Sequence, residues 1–207
     1  GTSVDLSVLT DPTRTGYTFS NWSTSASGGG ASYTSSLTLA ASDVTLYAQW
    51  TGLDYTLSYD FNYAGATGTV PSSQTIAAGA VGTASSTEPT RTGYTFSAWN
   101  FAADGTGADV AAGAVFSMPV GNQTLYAQWE INSYDVIYDA NGGSDAPDTE
   151  EVDFDATATV TSDEPSRAGY TFLGWNDAAD GSGTEYSGGD TFVMADEDVT
   201  LYAQWEL

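Results

Sequence analysis

The sequence predicts a mainly β protein, α+β at most, assembled from tandem modules of about five short strands with at most one short helix each. Three observations carry this expectation. Two long phrases return in the same order at a fixed period, apolar residues alternate with polar ones in short runs, and no segment holds a 3.6-residue apolar period over three turns. Residues 11–22 read DPTRTGYTFSNW, residues 88–99 EPTRTGYTFSAW and residues 164–175 EPSRAGYTFLGW. Each is followed by a second phrase, VTLYAQW at 44–50, QTLYAQW at 123–129 and VTLYAQW at 199–205. Arg14, Arg91 and Arg167, one in each copy, are 77 and 76 residues apart.

The strands follow in order along the period. Tyr55, Leu57, Tyr59 and Phe61, and in the next copy Tyr134, Val136, Tyr138 and Ala140, alternate with mostly polar neighbours, as a half-buried strand does. Asn141-Gly142 follows, a dipeptide suited to the positive φ angles of a tight hairpin. Val152, Phe154, Ala156, Ala158 and Val160 then alternate with Glu151, Asp153, Asp155, Thr157 and Thr159, which predicts one returning strand with an apolar and an acidic face. Residues 81–87, just ahead of the EPTR phrase, are the best place for a short helix. In the GYTF phrase Tyr94 and Phe96 share a face. A short strand carries Leu37 and Leu39, Phe116 and Met118, or Phe192 and Met194, and the last strand aligns Val199, Leu201, Ala203 and Trp205. Pro119 with Gly121-Asn122, and residues 195–198, supply the turns between them.

These elements divide the chain into a truncated repeat lacking its leading hairpin (1–52), a complete repeat (53–130) and a second complete, strongly acidic repeat (131–207). Charge is uneven: three acids and one arginine in the first, six and one in the second, 18 and one in the third. Only a residue or two joins successive repeats, which predicts a semi-rigid array. The second repeat has 35 residues ahead of Glu88, the first only ten ahead of Asp11. The missing stretch corresponds to two strands, so the first repeat is expected to be ordered through contact with the second or with another chain. The chain opens on Gly1 without a secretory leader, and reads as an interior segment of something longer.

Composition excludes whole classes of function. With 27 acidic residues, three basic ones and a net charge of −24, the surface repels nucleic acid and anionic membrane. No apolar run approaches the ~20 residues needed for a membrane-spanning helix, so no membrane insertion is expected within this segment. Cysteine and histidine are absent, and all three cations are arginines. There is no imidazole base, thiolate or amine nucleophile, so the chain is not expected to be an enzyme and no cofactor is implied. Aromatic residues make up 13% of the chain and recur in phase with the repeat, which marks a folded protein despite the charge.

Several residues invite a functional reading beside a plainer one. The three arginines could clamp a ligand carboxylate, or form a local ion pair or bond to turn carbonyls, and their identical placement in every copy favours the local role. Trp22, Trp50, Trp99, Trp129, Trp175 and Trp205 could offer a sugar-stacking platform, but paired aromatics at fixed positions are expected to be core. Alternation points Tyr47, Tyr126 and Tyr202 away from the Leu/Trp face, either onto a second layer or outward as a repeated contact. The run from Asp139 to Asp145 resembles a calcium loop with Glu150 in twelfth place, yet Ser144 stands where the loop needs glycine, so a turn is expected. Residues 104–107 and 180–183 read as Asp-Gly turns. Asp177, Asp180 and Glu185 are the one cluster in which a divalent ion, calcium, could sit.

The phrase Pro-(Thr/Ser)-Arg-(Thr/Ala)-Gly-Tyr-Thr-Phe-x-x-Trp, an Asp-Gly-x-Gly turn, Met-Pro or Met-Ala, and then (Val/Gln)-Thr-Leu-Tyr-Ala-Gln-Trp resembles the Listeria–Bacteroides repeat family, the internalin-type B repeat. The first copy departs from it, with Ser27-Gly28-Gly29-Gly30 for the Asp-Gly turn and Leu39-Ala40 for Met-Pro. The resemblance implies β-grasp-like modules in tandem on a secreted or cell-surface bacterial protein. It implies a stalk, spacer or adhesive role toward a host or neighbouring-cell surface protein or glycan, and no catalytic residues. The rival expectation is a glycan- or peptide-binding module using exposed aromatics or a free strand edge.

The acid load generates a direct test. Melting temperature should rise as monovalent salt screens the repulsion within the third repeat. Calcium that stabilises far beyond sodium at equal ionic strength would establish a specific metal site.

Overall fold

A computed structural model describes residues 1–40 and 42–207. All elements among the described residues are strands. In chain order they are β1 (Ser3–Asp5), β2 (Tyr17–Ser23), β3 (Ser32–Tyr33), β4 (Ser36–Thr38) and β5 (Tyr47–Gly52), then β6 (Asp54–Asp60), β7 (Gln74–Ala77), β8 (Val81–Thr83), β9 (Tyr94–Asn100), β10 (Asp109–Val110), β11 (Val115–Ser117) and β12 (Gln123–Ile131). The last repeat adds β13 (Ser133–Asp139), β14 (Glu150–Asp153), β15 (Thr157–Thr159), β16 (Thr171–Asn176), β17 (Glu185–Tyr186), β18 (Thr191–Val193) and β19 (Val199–Glu206). They fall into two compact units: Gly1–Asn62 with Thr69–Glu88 and Ala98–Gln128, and Tyr63–Gly68 with Pro89–Ser97 and Trp129–Leu207.

In the second unit one complete repeat forms a five-stranded sheet in the order β14-β13-β19-β16-β17 and a two-stranded ribbon, β15-β18. The central pair, β13 and β19, is parallel, with Val136 opposite Val199 and Tyr138 opposite Leu201. Strand alternation then turns Val136, Tyr138, Leu201 and Ala203 toward the ribbon, where Ala158, Val160, Met194 and Trp175 complete a buried core. Leu201 and Ala203 are fully buried. The Tyr138 ring meets Trp175 edge-on at 4.9 Å, while its hydroxyl accepts the Thr161 N–H at 2.9 Å. Burial of that phenol pushes its pKa up.

The second repeat follows the same plan, and the first departs from it. Strands β10-β9-β12-β6-β7 form a sheet in the same order, with β8-β11 as the ribbon and β6 parallel to β12. Leu57, Trp99 and Leu125 are fully buried there. The first repeat contributes only the three-stranded sheet β3-β2-β5 and the ribbon β1-β4. Strand β1 occupies the place of β8, and among the described residues of the repeat no strand corresponds to β6 and β7.

Four expectations are corrected. A complete repeat holds seven strands, five of them in one sheet. The helix expected at 81–87 is absent: Val81–Thr83 is β8, pairing with Val115–Ser117, and Gly82 is buried where a side chain would strike Phe116 and Ile76. The returning strand of 151–160 is two strands, because Asp155 turns through φ 61° and sends β14 to the sheet and β15 to the ribbon. Asn141 and Gly142 do have positive φ, 48° and 87°, but the chain loops through residue 149 before β14 begins.

The aromatic core depends on a bulge that simple alternation misses. Phe172 pairs with Trp205 and Gly174 with Gln204, leaving Leu173 as the extra residue, 59% exposed. The shift brings Phe172 and Trp175 to one face, ring centroids 5.2 Å apart, with Trp205 5.7 Å from Phe172. The first repeat does the same at Ser20, placing Phe19 5.2 Å from Trp22 and 6.0 Å from Trp50. Trp99 and Trp175 are buried; Trp22, Trp50, Trp129 and Trp205 are half-buried. Trp175→Ala should therefore destabilise its repeat by about 3–5 kcal/mol, and Trp22→Ala by clearly less, as measured by urea unfolding of the two variants.

Candidate functional site

The repeated residues of the long phrase build the junctions between repeats. Within the first unit the Leu53 N–H donates to the Gly16 carbonyl at 2.9 Å, and the Ala78 N–H donates back to the Leu53 carbonyl at 2.9 Å. Within the second unit Asn132 and Phe154 repeat the arrangement, Asn132 N–H to the Gly93 carbonyl at 2.9 Å and Phe154 N–H to the Asn132 carbonyl at 2.8 Å. The tyrosine after each glycine lies on the incoming turn. The Tyr17 hydroxyl abuts Gly79, and the Tyr94 ring meets Phe154 edge-on at 6.0 Å. Gly16 and Gly93 are buried at φ 78° and 72°, and a side chain there would run into Val120 and Phe154 respectively. The third glycine, Gly169, has the same backbone, φ 81°, but open space around it, and its Tyr170 is 39% exposed.

The arginines stack on those tyrosines. Arg14, Arg91 and Arg167 lie over the Tyr17, Tyr94 and Tyr170 rings at 3.8, 3.4 and 4.0 Å. Arg91 is sandwiched, with Tyr63 on its other face at 3.7 Å, and its Nε is buried without a hydrogen-bond partner. The local role expected for these residues is thus a cation–π stack in place of an ion pair or carbonyl bond. It stiffens the loop ahead of each junction and keeps the cation three residues from its ring.

Two polar residues that alternation gave no reason to single out hold the Asp-Gly turns. Asn100 and Asn176, each directly after a core tryptophan, are fully buried. The Asn100 amide donates to the Gly105 and Gly107 carbonyls and to Asp109, and its oxygen accepts the Ala102 N–H at 2.7 Å. Asn176 accepts from the Ala178 and Gly183 N–H groups. Gln128 and Gln204 reach the same turns, donating to the Ala102 and Ala178 carbonyls at 3.4 Å. The recurrence of Trp-Asn in both complete repeats was the available clue.

The acidic candidates serve these turns as well. Asp177 accepts the Thr184 N–H at 2.7 Å, and Asp180 accepts the Ser182 N–H and hydroxyl, which hold its carboxyl below the usual pKa. Asp104 is lowered in the same way by Thr106. Glu185 lies on β17. Asp139 caps the Asn141 N–H at 2.7 Å, and Asp145 accepts the Ser144 and Ser166 hydroxyls. Among the described residues no three such groups converge to hold a metal ion. Of the three surface tyrosines, Tyr47 is 42% exposed and Tyr126 and Tyr202 are half-buried, each on the last strand of its own repeat.

Two complete repeats with a parallel central pair, and a Gly-Tyr junction after the first and second copies, define a tandem β-repeat array. The chain belongs to the Listeria-Bacteroides repeat domain family, whose profile matches residues 1–49, 55–128 and 134–204. It is 38% identical over 178 residues to a protein of Evansella cellulosilytica with the provisional name membrane protein, covering 79% of this chain and 24% of the relative. A second protein of that organism, provisionally named a Gly-rich membrane protein, is 47% identical over 124 residues, 56% of this chain and 14% of the relative. Internalin H of Listeria monocytogenes is 37% identical over 124 residues, 59% of this chain and 21% of internalin H. The chain thus spans about a quarter or less of the length of these relatives. Among solved structures, Streptococcal High Identity Repeats in Tandem domains 3-4 from a cell surface protein align over 73% of this chain and 96% of theirs. That alignment has 15% identity and a TM-score of 0.27, too low to argue from. No helix among the described residues is long and apolar enough to cross a membrane.

The junction predicts a paired comparison. Gly93→Ala and Gly169→Ala both place a side chain at positive φ, so they share the backbone cost, but only the first also strikes a neighbour. In urea unfolding Gly93→Ala should lose about 1–3 kcal/mol more than Gly169→Ala.

Proposed function

We propose that the chain is an extracellular tandem-repeat segment of a bacterial surface protein, with modules at 1–52, 53–130 and 131–207, that acts as a spacer and protein-interaction region. The observation that carries this reading is the repeated junction: Gly16 and Gly93 each accept a backbone hydrogen bond from the next repeat, and Tyr17 and Tyr94 each pack on its turn. Short joins and a backbone joint repeated after the first two copies suit extension or display. Membership of the family, the internalin H match and the membrane-protein names of two relatives support a location at the cell surface. The partner belongs to a host or neighbouring cell, as a surface protein or glycan. Catalysis has no part in this reading, since the chain offers no imidazole, thiolate or amine.

A second reading, glycan or peptide binding, draws on the exposed tyrosines Tyr47, Tyr63 and Tyr170. The tryptophans lend it little, because each is at least half-buried. The spacer reading is tested with spin labels at three equivalent turn positions, Gly29→Cys, Thr106→Cys and Ser182→Cys, combined in adjacent pairs. Electron–electron distance measurements should return one narrow distribution for each pair, and the two should be alike. Broad distributions would mean hinged junctions and overturn the spacer role, and micromolar binding on a glycan array would establish the second reading instead.

A further inference from the structure

Asparagine followed by glycine occurs once among the seven asparagines of the chain, at Asn141-Gly142. The pair forms the turn after β13, with both residues at positive φ, 48° and 87°. The Gly143 N–H closes the turn on the Ala140 carbonyl at 2.9 Å, and the Asp139 carboxylate accepts the Asn141 N–H at 2.7 Å. Trp205 Nε1 donates to the same Ala140 carbonyl at 3.0 Å. The Asn141 side chain donates from Nδ2 to the Ala179 and Ala203 carbonyls at 2.8 and 2.9 Å, a clasp that fastens the end of β13 to the Asp-Gly turn and to β19.

The second repeat makes the same clasp beside a different neighbour. Asn62 has φ 56° and donates to the Ala103 and Ala127 carbonyls at 2.6 and 3.2 Å, while its N–H reaches the Asp60 carboxylate at 2.7 Å. Tyr63 follows it, and that ring lies 3.7 Å from the Arg91 guanidinium. In the third repeat Gly142 takes the place of Tyr63, and a side chain on it would begin 3.6 Å from Arg167 Cζ and Nη1.

We propose that Asn141-Gly142 is a self-modification site, where the asparagine loses its amide through a cyclic imide and the clasp of the third repeat is released for good. The Gly142 main-chain nitrogen attacks Asn141 Cγ, forming an N–Cγ bond and giving up its proton. The Cγ–Nδ2 bond breaks, and Nδ2 takes that proton and leaves as ammonia. Water then adds to either imide carbonyl, breaking its bond to the nitrogen and returning a proton there. The products are aspartate, with the original backbone, and isoaspartate, whose main chain runs through the side-chain carbon.

Three features single this pair out. Glycine has no Cβ to hinder the approach of its nitrogen, whereas Tyr63 does. The Arg167 guanidinium beside Gly142 favours the negative charge that builds up during attack. Gly142 is exposed, so water reaches the imide. The clasp is the gate: while it is closed the amide is held on two carbonyls, and attack waits on local opening. Conversion is one-way, because the new carboxylate has no N–H for Ala179 and Ala203 and repels their oxygens. Isoaspartate also lengthens the main chain within the turn that Gly143 closes. The inference rests on the third repeat alone and does not depend on the spacer reading.

The experiment incubates the full chain in mildly alkaline buffer, with and without urea, and follows each asparagine by mass-spectrometric peptide mapping. Asn62 is the internal control. In native buffer Asn141 should convert about tenfold faster than Asn62 or more, and urea should speed it by about another tenfold as the gate is removed. The Asn141→Asp variant, which carries the direct product, should unfold at a lower urea midpoint than the parent and exchange its amides faster over residues 134–139. Equal conversion at Asn62 and Asn141 would overturn the proposal, as would a native rate no slower than that in urea. So would an Asn141→Asp chain with midpoint and exchange unchanged, or a native chain left unmodified for weeks while the chain in urea converts fully.

Discussion

The parallel pairing of the leading strand with the LYAQW strand is the contact on which a complete repeat depends. It joins residues more than 60 positions apart, Val136 with Val199 and Leu57 with Gln123. Once made, it buries the leucine and alanine of the last strand and sets the second tyrosine of the leading strand against the core tryptophan. It also carries Asn62 and Asn141, just past the leading strands, to the Asp-Gly turns, where they donate to the Ala103 and Ala179 carbonyls. In the first repeat no such partner strand lies among the described residues: residues 44–46 lack the strand state of their counterparts, and Tyr47 and Ala48 are less buried than theirs. Sequence-local propensity is identical in the two settings, so tertiary pairing decides between them.

The Gly-Tyr step of the long phrase serves two masters. Positive φ makes a turn that lets Arg stack back on Tyr, and the missing side chain lets the next repeat approach closely. In Gly16 and Gly93 both needs are met, while in Gly169 only the turn is used. The absence of lysine gains a reason here. A planar guanidinium fits flat on a tyrosine face in a way that an ammonium does not, and Arg91 lies between two such faces.

Acidic residues accumulate in the third repeat without forming a metal cage because most have turn or surface work. Asp139, Asp177 and Asp180 cap backbone N–H groups, Glu151 and Asp153 occupy the outward face of β14, and Asp155 lies in the turn beyond it. Capping a local N–H favours the ionised carboxylate at modest cost, whereas gathering three carboxylates in one place without an ion is opposed by their mutual repulsion. The same distribution leaves the core of that repeat free of charge.

Of the six tryptophans expected as core only Trp99 and Trp175 are buried, so by itself the sequence determined the repeat, the strand-rich class and the buried Leu125 and Leu201 positions. These are legible because they depend on alternation and turn chemistry, which act over a few residues. Only the tertiary structure decided that Asp155 breaks the returning strand and that Leu173 bulges so that Phe172 and Trp175 share a face. It likewise decided that β8 replaces a helix, that arginine stacks on tyrosine, and that Asn100 and Asn176 are buried. The β8 pairing and the bulge depend on strands distant in the chain, whereas each arginine stacks on a tyrosine three residues on and the buried asparagines use partners within nine residues that only a folded turn brings into place. The last strand is the clearest case, because residues 44–50 and 199–205 are the same seven residues, and the parallel neighbour beside the second copy separates a central strand with a buried leucine and alanine from a shorter, half-buried one.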